Sequence, residues 1–344
     1  MNRTHVLLLF GGESSEHDVS MASARNVLAA IDGEKFDITL CYIDNKGRWW
    51  LRESFESDSD DSSELLPVLG SGSFMTKEKD TIKPDVILPI LHGKNGEDGS
   101  VQGLAQLLHI PIVGCDMTSS AIGMDKLASK EIAASRGVKI VPYIVHRQGT
   151  ETPSFDYLKS TLGSPLFIKP SRAGSSVGVS KVDNEHELSN ALKHAHEHDK
   201  VVLIEKGINA RELELAVIGT PPHHNVSGVG EIIPGAEFYS YDDKYASDSD
   251  AAIVLPADVS DNVKEQLRTL AATIYEALGC SGLSRIDFFM DENDDIYFNE
   301  INTLPGFTNI SMYPKLWQQE GVSYSRLIAQ LIQDALANAT IKTI

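Results

Sequence analysis

The densest chemistry in the sequence lies in its last third. There Ser284-Arg285-Ile286-Asp287 is followed, across the turn DENDD, by Phe298-Asn299-Glu300-Ile301-Asn302. On strands, residues two apart share a face. Arg285 and Asp287 therefore point one way, as do Glu300 and Asn302, while Ile286 and Ile301 point into the core. Paired as a hairpin, the two runs gather two carboxylates, an amide oxygen and a cation on one face. Oxygen donors of that kind suit Mg²⁺, which keeps several waters and bridges substrate phosphates. The plain alternative is a surface hairpin with an ordinary salt bridge. The apolar setting and the Thr-Leu-Pro-Gly-Phe turn that follows argue against it.

Two further stretches carry charge where a strand pattern ends. In FIKPSRAGSSVGVSKV (167–182), Lys169 closes one strand and a glycine- and serine-rich turn leads to the next. Glycines let backbone N–H groups converge on phosphate oxygens, and Lys169 adds positive charge. No GK[ST] ends this turn, so it is not a Walker loop. In VLIEKGINARELELAV, Glu205 closes a strand and Glu212 lies inside an apolar run. A carboxylate in such a place needs a donor. An adenine amino group or a ribose hydroxyl pair would serve, and so would Arg211 or Lys206.

The elements that must position these residues alternate along the chain. His5 to Phe10, Ile38 to Ile43 and Pro84 to Leu91 read as strands, with helices after Val19 and over Val101 to Leu108. That alternation predicts a parallel sheet with helices on its faces and ligands at the carboxyl ends of its strands. The glycine-rich turns at 11–12 and 93–99 fall at that edge. Residues 53–64, acidic and serine-rich, read as a solvated insertion, with a flexible turn over 70–73. From about Thr118 a smaller mixed α+β pattern begins, followed by a last third with a helix over Val263 to Leu278 and a closing helix from Tyr324. Leu327, Ile328, Leu331, Ile332 and Leu336 recur there at helical spacing, a core stripe. The run HAHEH (194–198) places His194 and His198 on one helix face without His196, and reads as an exposed helix end rather than a metal site.

A chain of 344 residues exceeds one ordinary core and predicts two or three units sharing a cleft. No apolar run approaches the roughly 18–20 residues of a membrane span. The opening MNRTHVLLLFGG lacks a small-residue cleavage site, so a cytoplasmic protein is expected. Cys41, Cys115 and Cys280 are scattered, with no CxxC, and indicate neither a disulfide framework nor a zinc knuckle. A formal charge of −19 argues against a nucleic-acid partner while leaving room for a small anion at a locally cationic site.

In order along nearly the whole chain, GGESSEHDVS (11–20), LHGKNGEDGSVQG (91–103), MDK (124–126), KPSRAGSSVG (169–178), EFYSYDDKY (237–245), SRIDFF (284–289) and NEINTLPGFT (299–308) resemble the D-alanine–D-alanine ligases of the ATP-grasp superfamily. The resemblance implies a three-domain α/β and α+β architecture: an N-terminal parallel-sheet substrate domain (1–117), a central ATP-grasp subdomain (118–206) and a C-terminal ATP-grasp and metal-binding domain (207–344). It implies ATP-dependent joining of two D-alanines through an acyl phosphate for peptidoglycan precursors. Two Mg²⁺ ions are expected, with Mn²⁺ able to substitute, and a homodimer.

By the same resemblance Asp287, Glu300 and Asn302 hold the metals. Lys126 and Lys169 lie on the phosphates, Glu205 and Glu212 help hold the adenosine, and Ser176 also binds ATP. Arg285 and the backbone of Gly306 stabilise the oxyanion. Glu16 binds the first ammonium in a network with Ser175 and Tyr245, His92 faces the first substrate, Ser311 faces the second carboxylate, and Lys244 is a further substrate-binding residue. Segment 237–250 resembles a lid, which would shield an acyl phosphate from water. Ala173, where a glutamate is common, and Phe298, where a smaller aliphatic is usual, depart from the family pattern. The competing expectations are D-Ala–D-Ser or D-Ala–D-lactate ligation, another ATP-grasp carboxylate–amine ligase, and a Rossmann dehydrogenase or non-catalytic nucleotide-binding module. The first-strand turn GGESSEH fails the GxGxxG pattern of a dehydrogenase.

Overall fold

The computed structural model describes residues 3–56, 63–235 and 252–341. Its first sheet is built on β1 (Thr4–Gly11), which runs parallel to β2 (Phe36–Ile43) on one side and β7 (Val86–Leu91) on the other. Every residue of β7 is buried, and β1 is buried from Val6 onward, so these strands are continuous apolar runs rather than alternating ones. Helices α1 (His17–Ala30) and α2 (Ser100–Leu108) follow the carboxyl ends of β1 and β7. The sheet as a whole is mixed rather than parallel. Beyond β2 it continues antiparallel through β3 (Trp49–Arg52), β4 (Ser63–Val68), β5 (Ser73–Thr76) and β6 (Thr81–Ile82), in the order β6-β5-β4-β3-β2-β1-β7. Antiparallel neighbours of this kind need no crossover helix between them. Half of the acidic stretch 53–64 lies outside the described residues, and Ser63 and Glu64 open β4.

The second sheet, order β10-β9-β11-β8, is antiparallel throughout: β8 (Tyr143–Arg147), β9 (Leu166–Pro170), β10 (Ser180–Val182) and β11 (Val201–Lys206). With α5 (Phe155–Leu162) and α6 (Glu185–Ala195) it encloses its own apolar core. The third sheet, order β14-β13-β12-β15-β16, is also antiparallel: β12 (Ala210–Thr220), β13 (His223–Ile233), β14 (Ala252–Val254), β15 (Leu283–Asp291) and β16 (Ile296–Asn302). Helix α7 (Asp261–Ala277) packs on it, its first turn capped by Ser260 Oγ accepting from Val263 N at 3.3 Å.

Helices α3 (Met117–Met124) and α4 (Lys126–Ser135) precede the second sheet in sequence but belong to the third in space. Ala133 and Val138 share a core with Phe298 and Ile301, and Ile140 bridges to Phe298. Phe298 is fully buried edge-to-face with Phe288, so its departure from the family pattern is a change of core packing. The last helices, α8 (Met312–Gln319) and α9 (Tyr324–Ile341), return to the first sheet. Leu327, Ile328, Leu331 and Ile332 pack with Val6, Leu8 and Phe10, which makes the apolar stripe a core face. At the end of α6, His194 and His198 stack edge-to-face 5.2 Å apart beside Glu197, while His196 turns away to His146. Among the described residues no helix is long and apolar enough to cross a membrane.

Candidate active site

A cleft of about 1260 Å³ opens where the three sheets meet. Every site residue expected from the sequence that falls within the described residues lines it, and Lys244 and Tyr245 lie outside them, as does the lid segment.

The floor is the β15–β16 hairpin. Its register sets Arg285 opposite Asn302 and Asp287 opposite Glu300. Arg285 grips Asp287 with both ends of its fork, at 2.8 and 2.7 Å, and reaches Glu214 Oε2 on β12 at 3.1 Å. Burial works against the guanidinium charge, but Asp287 and Glu214 hold it well above its ordinary value. Asn302 Oδ1 accepts from Leu304 N at 3.0 Å, which turns its side chain toward the 304–308 loop. Glu300 meets Lys126 at 3.0 Å, and Lys126 also donates to the carbonyl of Ala173 at 2.8 Å. That contact uses backbone only, so an alanine at 173 leaves it intact.

Lys126 is aimed by its helix. Asp125 caps α4, accepting from Leu127 N and Ala128 N at 3.1 and 3.2 Å, and takes the hydroxyl of Ser171 at 2.6 Å. The cap therefore also ties α4 to the end of β9, where Lys169 sits. Glu205 pairs with neither Lys206 nor Arg211. Lys169 Nζ lies 2.6 Å from one of its oxygens and Lys130 Nζ 2.9 Å from the other. Arg211 instead forks onto Glu231 at 2.7 and 2.6 Å. Burial pushes the Glu205 carboxyl up, but the two ammonium groups overcome it and bring it down to about 2. Burial pulls the Lys130 ammonium below its usual range, against the Glu205 charge, whereas Lys169 is held above it. Glu212 lies on β12 two residues before Glu214 and lines the same cleft.

The opposite wall comes from the first sheet. Glu16 stands at the N-terminus of α1, only 6% exposed, and accepts from Ser175 Oγ at 2.5 Å. Ser175 and Ser176 both adopt left-handed backbone, φ 49° and 58°, which costs a non-glycine residue roughly 1–2 kcal/mol. The turn between β9 and β10 is thus bent to present hydroxyls to the cleft. Gly93 has φ 69°, and a Cβ there would stand 2.7 Å from Glu16 Oε2. His92 is buried, with Glu97 3.5 Å from Nδ1 and Ser23 Oγ 3.2 Å from Nε2. Burial disfavours its imidazolium, but the Glu97 and Glu16 carboxylates raise it above the usual value. Ser23 also receives Phe307 N at 3.3 Å, linking His92 to the 304–308 turn. A Cβ on Gly306 would fall 2.8 Å from Ser311 Oγ, so only glycine lets that turn approach. Ser311 precedes α8 but spends its oxygen on Thr308 N, at 2.9 Å, rather than on its own helix.

Three residues of this site were not singled out from sequence. Lys130 follows Lys126 by one helical turn, so the two share a face, and Glu214 shares a strand face with Glu212. Both were readable from spacing. Glu97 lies inside HGKNGEDG, with nothing local to mark it from Asp98.

Two antiparallel sheets facing each other over buried lysines and a carboxylate hairpin define an ATP-grasp ligase. The family model for the D-ala D-ala ligase N-terminus matches residues 5–115 and that for the C-terminus residues 132–333. The chain is 42% identical over 363 residues to D-alanine–D-alanine ligase A of Salmonella typhimurium, covering all of both chains. It is 41% identical to D-alanine–D-alanine ligase A of Escherichia coli K12, covering 98% of this chain and 96% of that one. Among solved structures, the D-alanine–D-alanine ligase of Coxiella burnetii superposes with TM-score 0.90 at 32% identity, covering 100% of this chain and 97% of that one. The VanG D-Ala:D-Ser ligase of Enterococcus faecalis superposes with TM-score 0.89 at 36% identity, covering 97% and 100%. The chain belongs to the D-alanine–D-alanine ligase family.

Proposed function

We propose that this chain joins two D-alanine molecules at the expense of ATP, forming D-alanyl-D-alanine for peptidoglycan precursors in the cytoplasm. The observation that carries the reading is the Glu16–Ser175 link, which brings a buried carboxylate of the first sheet onto the glycine- and serine-rich loop of the second. It supports an ammonium site directly beside a phosphate site. Lys126, Lys169 and Ser176 hold the phosphates, and Glu205 and Glu212 the adenosine. Glu16 takes the first ammonium, and His92, on Ser23 and Glu97, lies beside that substrate.

The carboxylate of the first D-alanine takes the γ-phosphoryl group, giving an acyl phosphate and ADP. The amine of the second D-alanine then attacks the acyl carbon. A C–N bond forms, the C–O bond to phosphate breaks, and the ammonium proton is lost on the way. Arg285 and the N–H of Gly306 face the oxyanion of the tetrahedral state. Ser311 and Lys244 take the second carboxylate, and Tyr245 joins the Glu16–Ser175 network. Asp287, Glu300 and Asn302 offer oxygen donors on adjacent strand positions, a set that fits two Mg²⁺, or Mn²⁺ in their place. Bound there, the ions would neutralise charge on the β- and γ-phosphates.

With Mg²⁺ and ATP, the purified protein should release phosphate only when D-alanine is added, and mass spectrometry should find the dipeptide. Equal activity with L-alanine, or no dipeptide from D-alanine, ends this reading. The likeness to a D-Ala:D-Ser ligase makes D-serine and D-lactate the acceptors to compete against D-alanine. Family resemblance also supports a homodimer, which sedimentation velocity would detect.

A further inference from the structure

Lys130 is the largest charged side chain wholly shut off from solvent among the described residues, at 0% exposure, and the reaction described above does not use it. It projects from α4 to Glu205 from behind. Lys169 and Glu205 line the cleft, whereas Lys130 does not. The two oxygens of Glu205 are thus shared between a front lysine, facing the nucleotide, and a rear lysine that no ligand reaches. When a triphosphate enters, Lys169 is the one that can be drawn away. A buried carboxylate left without any cation is costly, so one of the two lysines must remain on Glu205.

We propose that Lys130 is a positioning residue that stays on Glu205 in the nucleotide complex and, by holding it as an acceptor-only carboxylate, sets the preference for a purine bearing a 6-amino group. An ionised carboxylate accepts from the 6-amino N–H of adenine and repels the 6-oxo group of hypoxanthine or guanine. Without Lys130, drawing Lys169 to the phosphates leaves Glu205 buried and uncompensated. It then takes up a proton and presents an O–H that a 6-oxo purine accepts. The inference rests on the reading that Glu205 faces the base, and the experiment separates the two.

ATP and ITP are compared as phosphoryl donors in D-alanine-dependent ligation by the full chain. A site built to pair with the amino group should favour ATP in kcat/KM by about 100-fold or more. Lys130→Met should cut that ratio by about 10-fold or more, chiefly through KM for ATP, and Lys130→Arg should restore most of it. Glu205→Gln should cut it too. If Glu205→Gln lowers the ratio and a folded Lys130→Met leaves it unchanged, the role of Lys130 is overturned while Glu205 keeps its place at the base. An unchanged ratio in Glu205→Gln overturns both. Should Lys130→Met fail to fold, the double variant Lys130→Met/Glu205→Gln removes both buried charges together. Because Lys130 acts through Glu205, the double variant should match Glu205→Gln alone, and a further large fall would overturn the inference.

Discussion

Glu300 shows how tightly single residues are committed in this site. Its carboxylate meets Lys126 on one side and stands opposite Asp287 on the neighbouring strand. Glu300→Gln keeps the shape and removes the charge. We expect turnover to vanish while the circular-dichroism melt shows a folded protein that has lost only about 1–2 kcal/mol, because the amide oxygen of glutamine can still accept from buried Lys126. Retained phosphate release would remove Glu300 from the metal set. Glu205 gives a prediction in pH. Its folded carboxyl is depressed to about 2 from an ordinary 4.5. The stability it adds is therefore fully present above the unfolded value and is lost as pH falls toward the folded one. The gap in melting temperature between the protein and Glu205→Gln should narrow as pH is lowered from about 5 to about 3, since protonated Glu205 resembles the amide. A gap that widens on acidification would contradict the assignment.

Among the elements, α4 carries the most consequence per residue, because one helix delivers Lys126 to Glu300 in the cleft and Lys130 to the back of Glu205. Its cap, Asp125, also holds Ser171. Asp125→Ala should cost about 1–2 kcal/mol in urea unfolding and raise KM for ATP with it, whereas a stability loss with unchanged KM would mean the cap is structural only. The elements that carry the chemistry were the ones legible in the sequence. Strands β15 and β16 announce themselves as two apolar runs of matched period across a polar turn, and β9 and β11 as short buried runs ending in charge. Strand β13 was not read, because HHNVSGVGEII mixes histidine, asparagine and glycine and takes its strand form from pairing with β12. Likewise β3 to β6 are short, and their burial follows no clean alternation. The partner of Glu205 was illegible for a related reason. Sequence neighbours Lys206 and Arg211 stand nearer along the chain, but β11 points the carboxylate inward, toward α4 and β9.

At the scale of the whole molecule, the chain is closed on itself. Helix α9 fills the core of a sheet whose strands all lie between residues 4 and 91. Leu331→Ala, at 2% exposure, should destabilise the protein by about 2–5 kcal/mol. At temperatures where it stays folded, it should weaken D-alanine more than nucleotide binding, since Glu16 and His92 ride on that sheet and Lys169 does not. Equal loss of both would indicate a general weakening instead.

The same closure bears on how the protein is made. The first sheet leaves the ribosome early, yet its core lacks Leu327, Ile328, Leu331 and Ile332 until the final helix emerges. The second sheet, whose core draws only on residues 144–204, has no such debt and can settle while synthesis continues. A chain cut short before α9 would therefore keep the core behind Lys169 and Glu205 while the sheet that carries Glu16 and His92 lacked part of its own. The wall of the cleft that is laid down first is thus sealed by a helix more than 200 residues further along the chain.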